Sequence, residues 1–164
     1  MSSYLILDAY NVIGALDRYR DAGSFDEARE RLISDALKAA GWTGRTIVVV
    51  FDAHRAPTPR RDESRAGGAV RLLYTAPGQS ADDEIERLLS RLEGPSTVYT
   101  ADFALQRTAL ARGSTRATPR EFASLLDELP AVTRNPDVPP KSRVADRLSR
   151  ETLRKLEEIR RKGY

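Results

Sequence analysis

Residues 45–53 read RTIVVVFDA, and within them Ile47 to Phe51 give five successive apolar side chains. A strand that alternates polar and apolar positions can leave one face in water, but this one is apolar on both. It needs cover above and below, which is the situation of a central strand in a parallel sheet lined by helices on each side.

The rest of the chain supplies that cover. SFDEARERLISDALKAAG (24–41) places Ala28, Leu32, Ile33, Ala36 and Leu37 on a helical stripe, opens on a Ser24/Glu27 capping-box pair and offers Gly41 as its stop. SADDEIERLLSRLEG (80–94) repeats the pattern with Ile85, Leu88, Leu89 and Leu92, ending at Gly94. FALQRTALARG (103–113) is predicted as a helix. So is TPREFASLLDEL (118–129), with Thr118 at the cap, Pro119 at the first helical position and Glu121 closing the box. Between them YLILD (4–8), AVRLLYT (69–75), STVYTAD (96–102) and STRAT (114–118) read as strands. HRAPTPRRDESRAGG (54–68) has no periodicity and is predicted as a long mobile loop. The alternation predicts a three-layer α/β/α domain over 1–130 with a mostly parallel central sheet. A proline-rich linker (131–141) and a basic C-terminal helix (142–164) follow, the helix docking through Val144, Leu148, Leu156 and Ile159.

At 164 residues the chain can bury roughly 70% of its unfolded surface, enough for its own core. It has no cysteine, which excludes disulfides and thiolate metal sites. No apolar run approaches the ~20 residues of a membrane span. The strand pattern begins at residue 4, leaving no room for a signal peptide, so no membrane partner and a cytoplasmic location are expected. Charge is uneven: residues 141–164 hold nine Lys/Arg against four Asp/Glu, while 1–140 holds 18 basic and 20 acidic residues. A basic tail on a slightly acidic body suits a polyanion partner.

Acids recur where the predicted strands end. Asp8 closes the first strand, Asp52 the second, and Asp102 follows TVYTA; Asp82 and Asp83 fall in the first turn of the helix after AVRLLYT. In a parallel sheet these positions share the carboxyl edge, where open α/β sheets bind ligands. Each alone has a structural reading. Asp terminates strands, Asp83 stands three residues after Ser80 and can complete a capping box, and Asp82 gains at most ~1 kcal/mol from the helix dipole. Together they repel, and a divalent cation relieves the repulsion. Hard carboxylate oxygens point to Mg²⁺ or Mn²⁺, which acidifies a bound water and suits phosphodiester chemistry. An acidic edge needs basic help to hold a polyanion, and Arg55, Arg60, Arg61, Arg65 and Arg71 are the candidates. Asn11 can orient a metal-bound water, touch a phosphate or cap a helix, and Thr100 and Gln106 beside Asp102 have similar options. His54 is the only histidine, and it is read as structural ahead of catalytic.

LILDAYNVIG, VVVFDAH, SADDEIERL and VYTADFALQ, in this order, resemble the YacP-like branch of the NYN domains, ribonucleases of the PIN-like superfamily, over residues 4–129. The resemblance implies a Mg²⁺ site built by Asp8, Asp82, Asp83 and Asp102 with Asn11 assisting, the metal ligands being Asp8, Asp82 and Asp102. Many relatives carry Glu at position 83, which suits a supporting role. Asp52 shares the edge without an assigned role. The resemblance also implies endonucleolytic cleavage that leaves a 5′-phosphate and a 3′-hydroxyl. It points to bacterial or plastid RNA turnover, with mRNA and the translating ribosome as partners.

The expectation is therefore a metal-dependent endoribonuclease acting on single-stranded RNA, since an open cleft admits a flexible strand more readily than a stiff duplex. The alternative is an RNA- or ribosome-binding module without independent activity, which the basic tail favours. A phosphoryl-accepting receiver would need a second acid after the first strand and a lysine after the last, and STRATPRE has none. A dinucleotide-binding fold would need a glycine turn that DAYNVIG lacks. Oligomeric state is open.

Overall fold

A computed structural model of the chain describes residues 2–52 and 59–130. The chain divides into two compact units, 1–129 and 130–164. The expected linker (131–141) and basic helix (142–164) lie outside the described residues, as do His54 and Arg55.

Six strands form one sheet: β1 (Tyr4–Asp8), β2 (Thr46–Phe51), β3 (Arg61–Arg65), β4 (Val70–Tyr74), β5 (Ser96–Tyr99) and β6 (Thr115–Ala117). Their order is β3-β4-β2-β1-β5-β6. The two-sided apolar run forms β2, between β1 and β4 and parallel to both. β5 and β6 continue the parallel set, and only β3 runs antiparallel, at the β4 edge. Among the described residues, five helices cover the sheet: α1 (Ala9–Ala15), α2 (Phe25–Thr43), α3 (Ala81–Arg91), α4 (Phe103–Ala111) and α5 (Pro119–Asp127).

The period-two alternation of the strands sorts their side chains into two cores. Leu5, Leu7, Ile47, Val49, Phe51, Val70 and Leu72 pack with α1, α2 and α5. Ile6, Val48, Val50, Leu73 and Val98 pack with α3 and α4. This is the three-layer α/β/α architecture with a mostly parallel sheet. From β1 the chain builds outward through β2 to β4, returns to β5 on the other side of β1 and continues to β6. The strand order thus reverses at β1/β5, and the crevice beyond their carboxyl ends is the binding position such a reversal creates. No helix of the described residues is long and apolar enough to cross a membrane.

Four local expectations are corrected. The loop predicted over 54–68 contains β3 and a 3₁₀ turn at Ala66–Gly68. β3 (RDESR) is an edge strand held by backbone pairing to β4, so it carries charge where a core strand would carry an apolar face. The stretch directly after the first strand, for which no element is predicted, forms α1, with Ala9, Val12 and Ile13 buried on one side. α2 passes through Gly41 and stops at Gly44, whose φ of 70° is left-handed and whose N–H bonds the Ala40 carbonyl. β5 ends at Tyr99, earlier than 102. The capping pairs hold, with one change. Thr118 and Glu121 form the full reciprocal box, whereas Glu27 accepts from the Gly23 N–H at 2.7 Å while Ser24 accepts from Glu27. Tyr19 fastens the α1–α2 connection to α2 by donating to Asp35 Oδ2 at 2.8 Å, beside Arg18 at 3.3 Å.

Candidate active site

Asp8 is the last residue of β1, and the alternation along that strand decides where it faces. Leu5 and Leu7 enter the α2 core and Ile6 the opposite one, so Asp8 faces the side covered by α3 and α4. The first turn of α3 brings Asp82 and Asp83 to that edge, and Asp102 is the N-cap of α4. Asp52 follows β2 directly. Asp82, Asp102 and Asp52, from three separate segments, are therefore gathered around one buried carboxylate, with Asp83 next to Asp82.

Asp8 is only 8% exposed. Burial pushes its carboxyl up to about 6; the Thr100 hydroxyl opposes this by donating to it, and the carboxylates of Asp82, Asp102 and Asp52 add to the rise. Asp82 is also raised, first by burial and then by Asp102, Asp83 and Asp52.

A hydrogen-bond frame holds these acids in place. The fully buried Thr100 donates to Asp8 Oδ2 at 2.9 Å and accepts from the Asp102 N–H at 3.0 Å. Gln106 Nε2 donates to the Thr100 carbonyl at 2.6 Å, and Asn11 Oδ1 accepts from the Ala101 N–H at 2.6 Å. Asp102 Oδ1 accepts from the Leu105 N–H at 2.9 Å, starting α4. Asp52 Oδ2 accepts from the Ala81 N–H at 3.3 Å, fastening the start of α3 to the end of β2. Asn11 is thus no helix cap but a staple between α1 and the turn after β5. Asp83 is exposed, and its N–H bonds Ser80 Oγ at 3.1 Å.

The arginines divide. Arg60 and Arg61 lie at the acidic edge, since Arg61 pairs with Tyr74 at the carboxyl end of β4. Arg65 pairs with Val70, the first residue of β4, about 13 Å along the strand and away from the acids. Arg71 stands next to that far end. Arg71 pairs with Asp62 at 2.8 Å, Arg61 and Arg65 both reach Glu63, and Arg61 also lies over the Tyr74 ring at 4.2 Å. Arg60 contacts Glu84 at 2.9 Å. Glu84 is the residue the sequence reading missed: it is 3% exposed, on the buried side of α3. Its signal was a charge at a stripe position, between Ala81 and Leu88, where only a paired carboxylate can be buried.

Among the described residues, no three His, Cys, Asp or Glu side chains form a ready-made metal cage. The donor chemistry nevertheless fits a hard divalent cation. The donors are carboxylate oxygens only, their repulsion is relieved by positive charge, and Mg²⁺ binds through one or two carboxylates while keeping several waters.

Residues 5–161 match the sequence model of the YacP-like NYN domain. The chain belongs to that family. Bacillus subtilis (strain 168) YacP is 32% identical over 170 residues, covering 96% of each chain. A crystal structure of a tryptophan-to-leucine mutant of B. subtilis Rae1 (YacP) superimposes with a TM-score of 0.66 at 30% identity, over 79% of this chain and 77% of that one. A second Rae1 (YacP) structure gives 0.63 at 25% identity over 96% and 94%. Membership of the YacP-like NYN family and these relatives suggest a ribonuclease, which implies an RNA substrate. NYN and PIN-like nucleases generally use divalent metals.

Proposed function

We propose that this YacP-like NYN protein is a metal-dependent endoribonuclease that cuts single-stranded RNA. The observation that carries the reading is Asp8, buried at the β1/β5 crevice with its carboxyl pushed up to about 6 by burial and by three converging acids. A fold keeps such a costly arrangement where the charge has work to do.

Asp8, Asp82 and Asp102 would hold Mg²⁺ or Mn²⁺, with Asp83 and Asp52 adding negative potential. When bound, the cation supplies an acidified water for attack on a phosphodiester and neutralises its non-bridging oxygens. Thr100 fixes the Asp8 carboxylate through Oδ2, and Gln106 fixes Thr100 in turn. Asn11 is anchored through its side-chain oxygen, so its amide nitrogen can donate to a phosphate or a water. Arg60 and Arg61 would meet the substrate backbone beside the acids, with Arg55 and His54 in the adjoining segment. Arg65 and Arg71, farther along the sheet, would act only on a longer strand.

The test is Asp8→Asn and Asp82→Asn against labelled single-stranded RNA with Mg²⁺ or EDTA. Each substitution should remove Mg²⁺-dependent cleavage while leaving the circular dichroism unchanged, and full activity in either rejects the assignment. The nine Lys/Arg of residues 141–164 favour a second reading, in which the protein chiefly binds mRNA or the ribosome. Deleting that segment separates the two: lost ribosome association with retained cleavage of a short RNA makes the tail a recruiting element. Purified protein that binds RNA and never cuts it supports the module.

A further inference from the structure

Among the described residues, Phe103 is the most exposed large apolar side chain, at 67%. It is also the first residue of α4, directly after the N-cap Asp102. A helix start asks only for a cap and a free N–H at that position, and nothing in either core uses the ring. The backbone beneath it is fixed on both sides by bonds already described: Asn11 to Ala101, Thr100 to Asp102, Asp102 to Leu105 and Gln106 to Thr100. The ring is thus an exposed aromatic surface carried on a fixed backbone at the rim of the acidic crevice, one residue from a proposed metal ligand. One helical turn on, Arg107 is exposed on the same side of α4. Unlike Arg112, which pairs with Glu86, Arg107 makes no ion pair among the described residues.

We propose that Phe103 is a base-stacking platform and Arg107 its phosphate contact, together seating one nucleotide of a single-stranded RNA beside the cleavage site. This rests on the ribonuclease reading. A polyanion alone would call for more cations, and an apolar protein partner would not call for an unpaired arginine between Phe103 and the exposed Leu110. Single-stranded nucleic acid uses both features, since bases stack on aromatic faces while cations track the backbone. The platform lies on the β5/β6 side of the crevice, and Arg60 and Arg61 lie on the β3/β4 side. A bound strand would therefore cross the sheet edge over Asp8.

The experiment measures affinity of the full chain for a labelled single-stranded oligoribonucleotide by fluorescence anisotropy, in EDTA at low salt so that chemistry is off. Phe103→Ala should weaken binding by roughly fivefold to a hundredfold, the usual loss per stacked base. Phe103→Trp should restore it to within about twofold, and neither should shift the melting temperature, because the ring packs on no core. Arg107→Gln should reduce the slope of log affinity against log salt by about 0.7, one phosphate on a single strand. An oligonucleotide with one abasic position, moved along the strand, should show one costly position in the wild type and none in Phe103→Ala. Unchanged affinity in Phe103→Ala, with the wild type still binding and cleaving RNA, overturns the platform alone and returns this face to a protein partner. A wild type that neither binds nor cleaves RNA overturns both readings.

Discussion

Replacing Asp8 by Asn should make the metal-free protein more stable as it removes activity. In the unfolded chain Asp8 titrates near 3.8, and in the fold at about 6. The folded protein therefore holds the proton more readily, and ionised Asp8 opposes folding. The destabilisation is absent below about pH 4, grows as pH rises to about 6 and is complete above that. Two units at 1.36 kcal/mol each give about 3 kcal/mol at pH 7.5. Asp8 is almost wholly buried, so solvent screening removes little of this. An Asn keeps an oxygen to accept from Thr100 and carries no charge, but its amide nitrogen must find acceptors, so the 3 kcal/mol is an upper figure. For a chain of this length the gain corresponds to a rise of roughly 6–12 °C in Tm. The assay is thermal or urea unfolding of wild type and Asp8→Asn in EDTA from pH 4 to 8, repeated in Mg²⁺. The two proteins should converge near pH 4 and separate above pH 6, and Mg²⁺ should raise the wild type alone. A difference that does not vary with pH, or an Asn variant less stable at pH 7.5, refutes the reasoning.

Other substitutions probe the surrounding frame. Thr100→Val removes the hydrogen bond that lowers the Asp8 pKa. It should move the acid limb of the pH–rate profile upward and raise the Mg²⁺ concentration needed for half-maximal rate. Glu84→Gln leaves Arg60 without its buried counter-charge and should cost about 1–3 kcal/mol in urea unfolding. It should also raise KM for RNA more than it lowers kcat. Gly41→Ala, in the interior of α2 with open space around it, should stabilise by up to about 1 kcal/mol. Gly44→Ala, at φ 70°, should destabilise by about 1 kcal/mol, and reversal of these two signs would return the helix end to Gly41.

The sheet and its helices were legible because their signals are periodic and their burial two-sided. Ile47 to Phe51 could only be central, and Ile85, Leu88 and Leu89 could only cover a core. β3 was invisible for the opposite reason: RDESR has no buried side, and what makes it a strand is backbone pairing to residues 70–74, outside any local window. α1 was hidden because its seven residues are too few to show a period, and Asp8 and Asn11 mimic turn chemistry. Among the candidate residues, the acids were readable because strand ends share an edge in a parallel sheet. Arg65 lies away from that edge because an antiparallel strand with no local signal carries it there, while Arg71 stands near the same end, at the start of β4. Thr100 was legible only as a neighbour of Asp102. Its importance comes from full burial between Asp8 and the Asp102 amide, which only the packed turn after β5 reveals.

What assembles the acids is register as much as composition. A slip of one residue along β1 would turn Asp8 into the core formed by α1, α2 and α5, where it would face Leu and Val side chains, and would expose Leu7 to the crevice. The pairing of Leu7 with Val49 on one side and Tyr99 on the other prevents this, because each of those residues is buried on the α2 face. The apolar alternation that stabilises the sheet is thus also what aims the buried Asp8 carboxylate at the crevice edge. Because β1 stops at Asp8 and β5 at Tyr99, the next residues, Thr100 to Asp102, can turn over the strand end and bring a hydroxyl and a second acid to it. The destabilising charge at Asp8 is tolerable only because the five-residue strand beneath it is paired on both sides along nearly its whole length. The same rigidity would hold the acids gathered at one edge before any cation arrives.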